Sequence, residues 1–234
     1  MHTMTRELII TIDGPAGTGK STVAHLLAKR LGLEFLDTGA MYRAAAVIAI
    51  EQSIDPADGP ALAAAVADAN LHFDWSADPP RVMLGERDVT RRIRDLDVSE
   101  VVSVVAAQRE VRDVMVQQQR LIASRHPRLV SEGRDQGSIV FPEACVRFFL
   151  HADVMVRADR RLAQLAKAGK DVDQQRVIND IEKRDLLDST RSDGPLIRPQ
   201  GAVDIDTSHR GIDQVVQSME QVVRQQFDGD EFTP

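Results

Sequence analysis

The hydrophobic and polar positions of this chain alternate between short apolar runs and stretches with helical spacing. Residues 8–12 form a β-branched apolar run that ends at the turn residues 13–15, which predicts a buried strand. Apolar residues then recur three and four positions apart from residue 23 to residue 31, and Gly32 follows, which predicts a helix that ends there. Strand, glycine-rich loop and helix thus follow one another in the order that nucleotide-binding α/β folds use.

The same patterns continue along the rest of the chain. Further strands of the same kind are predicted at 35–36, 128–130, 146–150 and 203–206. Helices are predicted at about 41–52, 61–70, 97–125, 154–168 and 173–190, and at the end from Ile212 to Val223.

One stretch breaks this alternation of strand and helix. Short strand-like runs at 71–75, 81–84 and 87–89 are separated only by turn residues, and such pieces suit antiparallel pairing rather than a doubly wound sheet. We therefore expect an α/β fold with a central parallel sheet and a small inserted lobe at about 55–100. The tail from Phe227 is expected to fray.

The composition narrows the range of partners. The chain has 234 residues, 43% hydrophobic and 28% charged, which is ordinary for a soluble globular domain. Its net charge of −7 argues against binding to nucleic acid or to an anionic membrane, because such surfaces need an excess of lysine and arginine. Arginines are nevertheless concentrated at 91–94, 157–161 and 184–198, so local positive fields can form.

Targeting signals and cysteine chemistry are not indicated. Residues 1–7 lack the charged and apolar regions of a secretory signal, and no window approaches the roughly 18 apolar residues that span a bilayer. We therefore expect a cytoplasmic protein. The one cysteine, Cys145, excludes an internal disulfide and a multi-cysteine metal site, and its apolar neighbours predict that it is buried.

A phosphate-binding loop is the strongest motif in the sequence. Residues 14–21 (GPAGTGKS) match the P-loop pattern in full, between the first predicted strand and helix. Glycines let backbone N–H groups converge on phosphate oxygens, and the helix adds the positive end of its dipole. Lys20 would bridge the β- and γ-phosphates, and the Ser21 hydroxyl would ligate Mg²⁺. The predicted triphosphate-binding residues are Gly14, Pro15, Ala16, Gly17, Thr18, Gly19, Lys20, Ser21 and Thr22.

Two further motifs follow predicted strands, where ligands of open α/β sheets gather. Residues 37–43 (DTGAMYR) offer a hydroxyl, backbone amides and an arginine that could grip an acceptor phosphate; the alternative is a helix start capped by Asp37 or Thr38. Arg134 and Asp135 follow the strand at 128–130, and the alternative there is an exposed structural ion pair.

A third motif is rich in arginine. On a helix, Arg184, Asp188 and Arg191 lie four and seven residues apart and share one face, as Arg157 and Arg161 also would. A solvated helix face is the alternative. Transfer between two polyanions requires their repulsion to be neutralised, and the combination of arginines with a P-loop favours that role.

Together these motifs resemble the bacterial cytidylate kinase family, nucleoside monophosphate kinases that phosphorylate CMP and dCMP with ATP. The matching segments are residues 12–22, 36–43, 133–135 followed by 140–142, and 184–191, and the likeness extends over 6–226. It implies a P-loop NTPase fold as a single domain over 1–234, with a monophosphate-binding lobe at 55–100 and a helical lid at 155–192. It also implies a monomer whose partners are the small molecules CMP, dCMP and ATP.

The resemblance also implies residue roles. The acceptor phosphate would be held by Thr38, Arg43 and Arg134, and the cytosine by Ser103, Arg112 and Asp135. The sugar would be contacted by Arg184 and Asp188, with Arg191 nearer the phosphates. A lid over ATP would contain Arg157, Arg160 and Arg161. The residues that would stabilise transferring charge are Lys20, Arg134, Arg157, Arg161 and Arg191. The chain departs from the family pattern at Gln136 and Ser138, where an apolar residue and a threonine are usual.

The implied chemistry is consistent with the residue types. A carboxylate such as Asp135 accepts hydrogen bonds from the N4 amino group of cytosine, whereas uracil presents a carbonyl oxygen there, so CMP would be preferred to UMP. The attacking CMP phosphate is already anionic, so no general base is needed. Two alternatives remain: a P-loop kinase for another small acceptor, such as shikimate, and a GTP-driven switch, although no Asn-Lys-x-Asp motif is present.

Overall fold

The computed structural model describes residues 7–167 and 169–227, and these divide into two compact units. Of the described residues, one unit comprises 7–34, 128–167 and 169–227, and the other is Phe35–Pro127. The predicted fraying of the tail after Phe227 lies outside the described residues. No helix in the described ranges is long and apolar enough to cross a membrane.

A five-stranded sheet of order β2-β6-β1-β7-β8 contains all the strands predicted for the central sheet. Its strands are β1 (Leu8–Asp13), β2 (Glu34–Asp37), β6 (Arg128–Gly133), β7 (Val146–His151) and β8 (Val203–Asp206). Every residue of β1 is buried, because β6 and β7 pair with it in parallel on either side. Asp13 stands opposite Gly133 on one side and Phe149 on the other, so the carboxyl ends of these three strands meet at one edge.

The helices of this first unit follow the strands. They are α1 (Lys20–Leu31), α6 (Val154–Lys167), α7 (Gln174–Thr190) and α8 (Ile212–Gln226). Gly32 ends α1 in the left-handed conformation at φ 63°, as its position in the sequence predicted. Between β6 and β7, residues Gln136–Val140 form a single π-helical turn, a type of turn that is rare in proteins and frequent at functional sites.

The second unit combines helices with a small antiparallel sheet. Its helices are α2 (Thr38–Glu51), α3 (Gly59–Asp68), α4 (Leu96–Val105) and α5 (Arg109–Arg125). The sheet is built from β3 (Leu71–Asp74), β4 (Arg81–Leu84) and β5 (Arg87–Asp88) in the order β3-β4-β5. Both strand pairs are antiparallel, as the turn-rich sequence predicted. The helical stretch predicted at 97–125 is interrupted at 106–108 and forms two helices.

Two further expectations differ from the structure. Cys145 is half-buried rather than buried, because it lies before β7, where the chain enters the sheet. Arg191 does not share a helix face with Arg184 and Asp188, since α7 ends at Thr190 and Arg191 has extended backbone angles (φ −63°, ψ 146°).

Candidate functional site

The loop between β1 and α1 has the backbone of a phosphate cradle. Gly14 has φ 149°, and a Cβ added there would lie 2.1 Å from the carbonyl oxygen of Leu150, so a side chain is excluded. Gly19 precedes α1 with φ 88°, and among the described residues no side chain caps this helix start and no acidic residue lies in its first turn. The N–H groups of the first turn are therefore available to an anion.

Lys20 brings a buried amino group into this loop. Its side chain is 5% exposed, and Nζ donates a hydrogen bond of 2.8 Å to the carbonyl oxygen of Pro15. Burial, together with the positive charges of Arg134 and Arg184, lowers the pKa of Lys20 to about 7, and the negative charge of Glu132 opposes this shift. Lys20 thus lies in a buried environment near two arginines, where a bound polyanion would favour its charged form.

The Ser21 hydroxyl has a carboxylate partner that the sequence did not reveal. Ser21 Oγ donates a hydrogen bond of 2.6 Å to Oε1 of Glu132, which is 4% exposed. A hydroxyl beside a carboxylate is a set of hard oxygen donors that fits Mg²⁺. Within ranges 7–167 and 169–227, no three or more His, Cys, Asp or Glu side chains form a group that could hold a metal ion.

Arg134 forms an ion pair with Asp188 of α7. Arg134 Nε donates a 2.8 Å hydrogen bond to Asp188 Oδ2, and Arg191 Nη1 lies 4.0 Å from Asp188 Oδ1. Burial raises the pKa of Asp188, but the charges of Arg134 and Arg184 more than offset this and hold it below its usual value. The pair is not exposed, since Asp188 is buried and Arg134 is half-buried, so an exposed surface ion pair is the wrong interpretation.

Asp135 is buried beside the π-helical turn. It is 3% exposed, and Oδ1 accepts a hydrogen bond of 3.4 Å from the side-chain amide of Gln136. Asp13, at the end of β1, accepts hydrogen bonds of 2.8 Å from the backbone N–H groups of Gln136 and Gly137. Burial raises the pKa of Asp13 to about 7, although these two hydrogen bonds oppose the shift. Asp13 therefore ties the start of the phosphate loop to the turn that follows Asp135.

Two of the three predicted lid arginines contact the phosphate loop. Arg157 donates to the carbonyl oxygen of Ala16 at 3.3 Å and pairs with Asp185 at 2.5 Å. Arg160 donates to the carbonyl oxygen of Gly17 at 3.4 Å and to that of Thr207 at 2.6 Å.

Arg161 is placed differently. Its guanidinium donates to Gln164 within α6 at 3.4 Å. Only Arg157 and Arg160 are therefore directed to the loop, although Arg157 and Arg161 lie on the same helix face.

The second unit contains the other predicted acceptor residues. Asp37 caps α2 by accepting a 2.8 Å hydrogen bond from the N–H of Ala40, so the capping alternative is correct for Asp37, and Thr38 is 2% exposed behind it. Arg43 donates to the carbonyl oxygen of Ile93 at 3.3 Å and to Ser99 Oγ at 3.0 Å.

The two remaining residues lie on α4 and α5. Ser103 is half-buried on α4. Arg112, on α5, is 4% exposed, donates to the Tyr42 hydroxyl at 3.3 Å and lies over the Tyr42 ring at 5.9 Å. A buried guanidinium has a high desolvation cost, so Arg112 is not an ordinary surface residue.

Three buried or half-buried carboxylates were missed from the sequence: Asp13, Glu132 and Asp185. Asp13 and Glu132 end or nearly end parallel strands, and that position is the signal that could have indicated them. Asp185 is adjacent to Arg184 within the arginine-rich motif, and no spacing rule distinguishes it from a solvated residue.

The chain is similar to known proteins over most of its length. The cytidylate kinase family model matches residues 10–225. A cytidylate kinase of Pelotomaculum thermopropionicum is 47% identical over 209 residues, which are 88% of this chain and 92% of that protein. A bifunctional pantoate ligase/cytidylate kinase of Thermosynechococcus vestitus is 42% identical over 95% of this chain, which spans 44% of that longer protein.

One comparison with a solved structure concerns the fold alone. An uncharacterized protein from Eubacterium ventriosum superposes with a TM-score of 0.52 at 13% identity, covering 94% of this chain and 99% of that one.

Proposed function

This chain belongs to the cytidylate kinase family and transfers the γ-phosphate of ATP to CMP or dCMP, and we infer that the residues around Lys20 carry the transfer. The observation that supports this assignment is the buried Lys20 amine at the N-terminus of α1, within the positive fields of Arg134 and Arg184. A polyanion held at this helix start would restore the charge of Lys20 and neutralise the arginines.

We propose an in-line attack of a CMP phosphate oxygen on the γ-phosphorus. The bond to γ-phosphorus forms from the CMP oxygen as the bond to the β–γ bridging oxygen of ATP breaks, giving CDP and ADP. Lys20, Arg134, Arg157 and Arg191 would stabilise the charge on the transferring group, and no proton needs to be abstracted. When Mg²⁺ is bound at Ser21, with Glu132 supporting it, the ion neutralises phosphate charge.

Both units contain residues that we propose to bind the acceptor nucleotide. In the first unit, Arg134 would hold the acceptor phosphate, Asp135 the cytosine N4 amino group, and Arg184 with Asp188 the sugar. The burial of Asp135 supports its role, because a buried carboxylate discriminates more strongly between a donor and an acceptor on the base. In the second unit, the residues proposed for acceptor contacts are Thr38, Arg43, Ser103 and Arg112.

We further propose that the protein has a monophosphate-binding lobe and a lid. Residues 55–100 would form the monophosphate-binding lobe and 155–192 the lid, with Arg157 and Arg160, the two arginines that contact the phosphate loop, closing over ATP. We also propose a cytoplasmic monomer with no nucleic-acid or membrane partner. The net charge of −7 supports the absence of polyanionic partners, and light scattering would test the monomer.

The transfer reaction is tested with a coupled assay over CMP, dCMP, UMP and AMP. We expect turnover of CMP and dCMP. The kcat/KM for UMP should be lower than that for CMP by a factor of about ten or more. Transfer to UMP or AMP but not to CMP would contradict the proposal.

Removal of the Lys20 amine should abolish most of this turnover. Lys20→Met keeps the length of the buried side chain, so we expect kcat to fall by about 10² to 10³ while the circular dichroism spectrum is unchanged. Near-normal kcat in this variant would exclude the loop from the mechanism.

A further inference from the structure

A buried polar cluster lies at the carboxyl end of β6. It consists of Ser131, Asp135 and Gln136, whose exposed fractions are 0%, 3% and 1%. Ser131 Oγ donates a 2.8 Å hydrogen bond to Gln136 Oε1, and Gln136 Nε2 donates to Asp135 Oδ1 at 3.4 Å. The Gln136 side chain therefore lies between a strand hydroxyl and the carboxylate assigned to the base.

The chemistry of the partners determines how the Gln136 amide is oriented. The Ser131 hydroxyl donates to the amide oxygen, so the amide NH₂ faces Asp135 and supplies the hydrogen-bond donor. The backbone of the same residue is held as well, because its N–H donates to Asp13 Oδ1 at 2.8 Å. Gln136 is thus held through both its side chain and its backbone.

We propose that Gln136 is a specificity-determining positioning residue, whose amide, anchored on Ser131, holds the Asp135 carboxylate in one orientation before a nucleotide binds. A carboxylate that is already oriented does not have to reorganise when the N4 amino group of cytosine arrives. An apolar residue at this position could fill the same space but could not donate to Asp135. The inference rests on the proposed reading of cytosine by Asp135.

The test uses a matched pair of variants. Gln136→Met keeps the unbranched shape but removes the amide, and Ser131→Ala removes its anchor. In Gln136→Met we expect kcat/KM for CMP to fall about threefold to tenfold through KM, the preference for CMP over UMP to fall by a similar factor, and KM for ATP to stay within about twofold. Ser131→Ala should lower the CMP preference as well, but less strongly, since the Gln136 amide loses its hydrogen bond from Ser131 and is still present.

The double variant separates a positioning role from a packing role. If Ser131 acts through Gln136, adding Ser131→Ala to Gln136→Met should change the CMP preference no further. Equal losses for CMP, UMP and ATP, or full additivity of the two substitutions, would mean that Gln136 only packs, and would overturn the inference. If Gln136→Met does not fold, Ser131→Ala alone decides: an unchanged CMP preference overturns the inference.

Asp135→Asn distinguishes this inference from the assignment on which it rests. If Asp135→Asn keeps the preference for CMP, the reading of cytosine by Asp135 is wrong and the role of Gln136 is wrong with it. If Asp135→Asn loses the preference but Gln136→Met keeps it, only the inference about Gln136 is overturned.

Discussion

At the scale of single residues, the site places charged groups where water cannot stabilise them. Lys20 is buried, and its pKa is lowered to about 7 by that burial and by nearby arginines. Glu132 is also buried and accepts a hydrogen bond from Ser21. A bound metal triphosphate would place new charge beside both groups, so we expect both to respond to nucleotide binding.

Lys20 predicts that ATP binding takes up a proton. Because its pKa is about 7 in the free protein, much of the amine is neutral at pH 8, and the triphosphate favours the charged form. ATP affinity should therefore fall as the pH rises from 7 to about 9. Calorimetry at pH 8 in HEPES and in Tris should give different binding heats, and Lys20→Met should remove the difference. Equal heats in the wild-type protein would contradict the prediction.

Glu132 predicts a measurable contribution to metal binding. Glu132→Gln can still accept the hydrogen bond from Ser21 but carries no charge, so Mn²⁺ affinity in the ATP complex should fall about tenfold. Electron paramagnetic resonance of free Mn²⁺ measures this without turnover. Glu143→Gln, at an exposed glutamate of the same unit, is the control and should bind Mn²⁺ normally. Unchanged affinity in Glu132→Gln would remove this carboxylate from the metal site.

At the scale of elements, α6 and α7 form a helical pair with a small apolar core. That core is made of Ala158, Val177, Ile178 and Ile181. The pair is also joined by the ion pair of Arg157 with Asp185. It follows that the start of α6, where Arg157 and Arg160 contact the phosphate loop, is more constrained than a solvated helix face would be.

The two arginines that contact the loop should differ from the one that does not. Arg157→Ala should lower kcat by about 10² to 10³, because it removes a charge beside the loop and leaves Asp185 without its ion-pair partner. Arg160→Ala should raise KM for ATP. Arg161→Ala, on the same helix, should change either constant by no more than about threefold. Steady-state kinetics of all three variants measure kcat and KM for ATP. Equal changes in the three variants would contradict the prediction that contact with the phosphate loop determines the effect.

At the scale of the whole molecule, one buried carboxylate joins segments that are far apart in the chain. Asp13 ends β1 and accepts hydrogen bonds from residues 136 and 137, more than 120 positions later. Its pKa is raised to about 7 by burial. Because the folded state binds this proton more tightly than the unfolded state, the stabilisation is full below about pH 4 and is lost as the pH rises through 7.

Asp13 therefore predicts a pH dependence of global stability. Between about pH 5 and 7, the free energy of unfolding of the wild-type protein should fall relative to that of Asp13→Asn by about 1.4 kcal/mol per pH unit. Urea unfolding at several pH values measures this slope. The absolute stability of Asp13→Asn is not the test, since the amide disturbs one hydrogen bond at every pH. Parallel pH curves for the two proteins would contradict the assignment.

Much of the fold and the family could be predicted from local sequence. β1, the end of α1, β8 and the antiparallel strands lie within a residue or two of their predicted positions, because hydrophobic period and turn residues are local properties of the chain. The glycine pattern of the phosphate loop was equally local, since a close approach such as that of Gly14 to Leu150 admits only one residue type. The sequence did not predict α4 and α5 as separate helices, because residues 106–108, where the helix is interrupted, contain neither glycine nor proline.

Only the tertiary structure decided which charged groups are partners. Arg134 pairs with Asp188, which is 54 residues away in the chain, and Ser21 donates to a glutamate that is 111 residues away. Arg157 and Arg161 lie on the same face of α6 but make different contacts. The sequence determines which side chains carry charge, whereas burial and distance, which set the strength of each interaction, exist only after parallel strands bring their carboxyl ends to one edge.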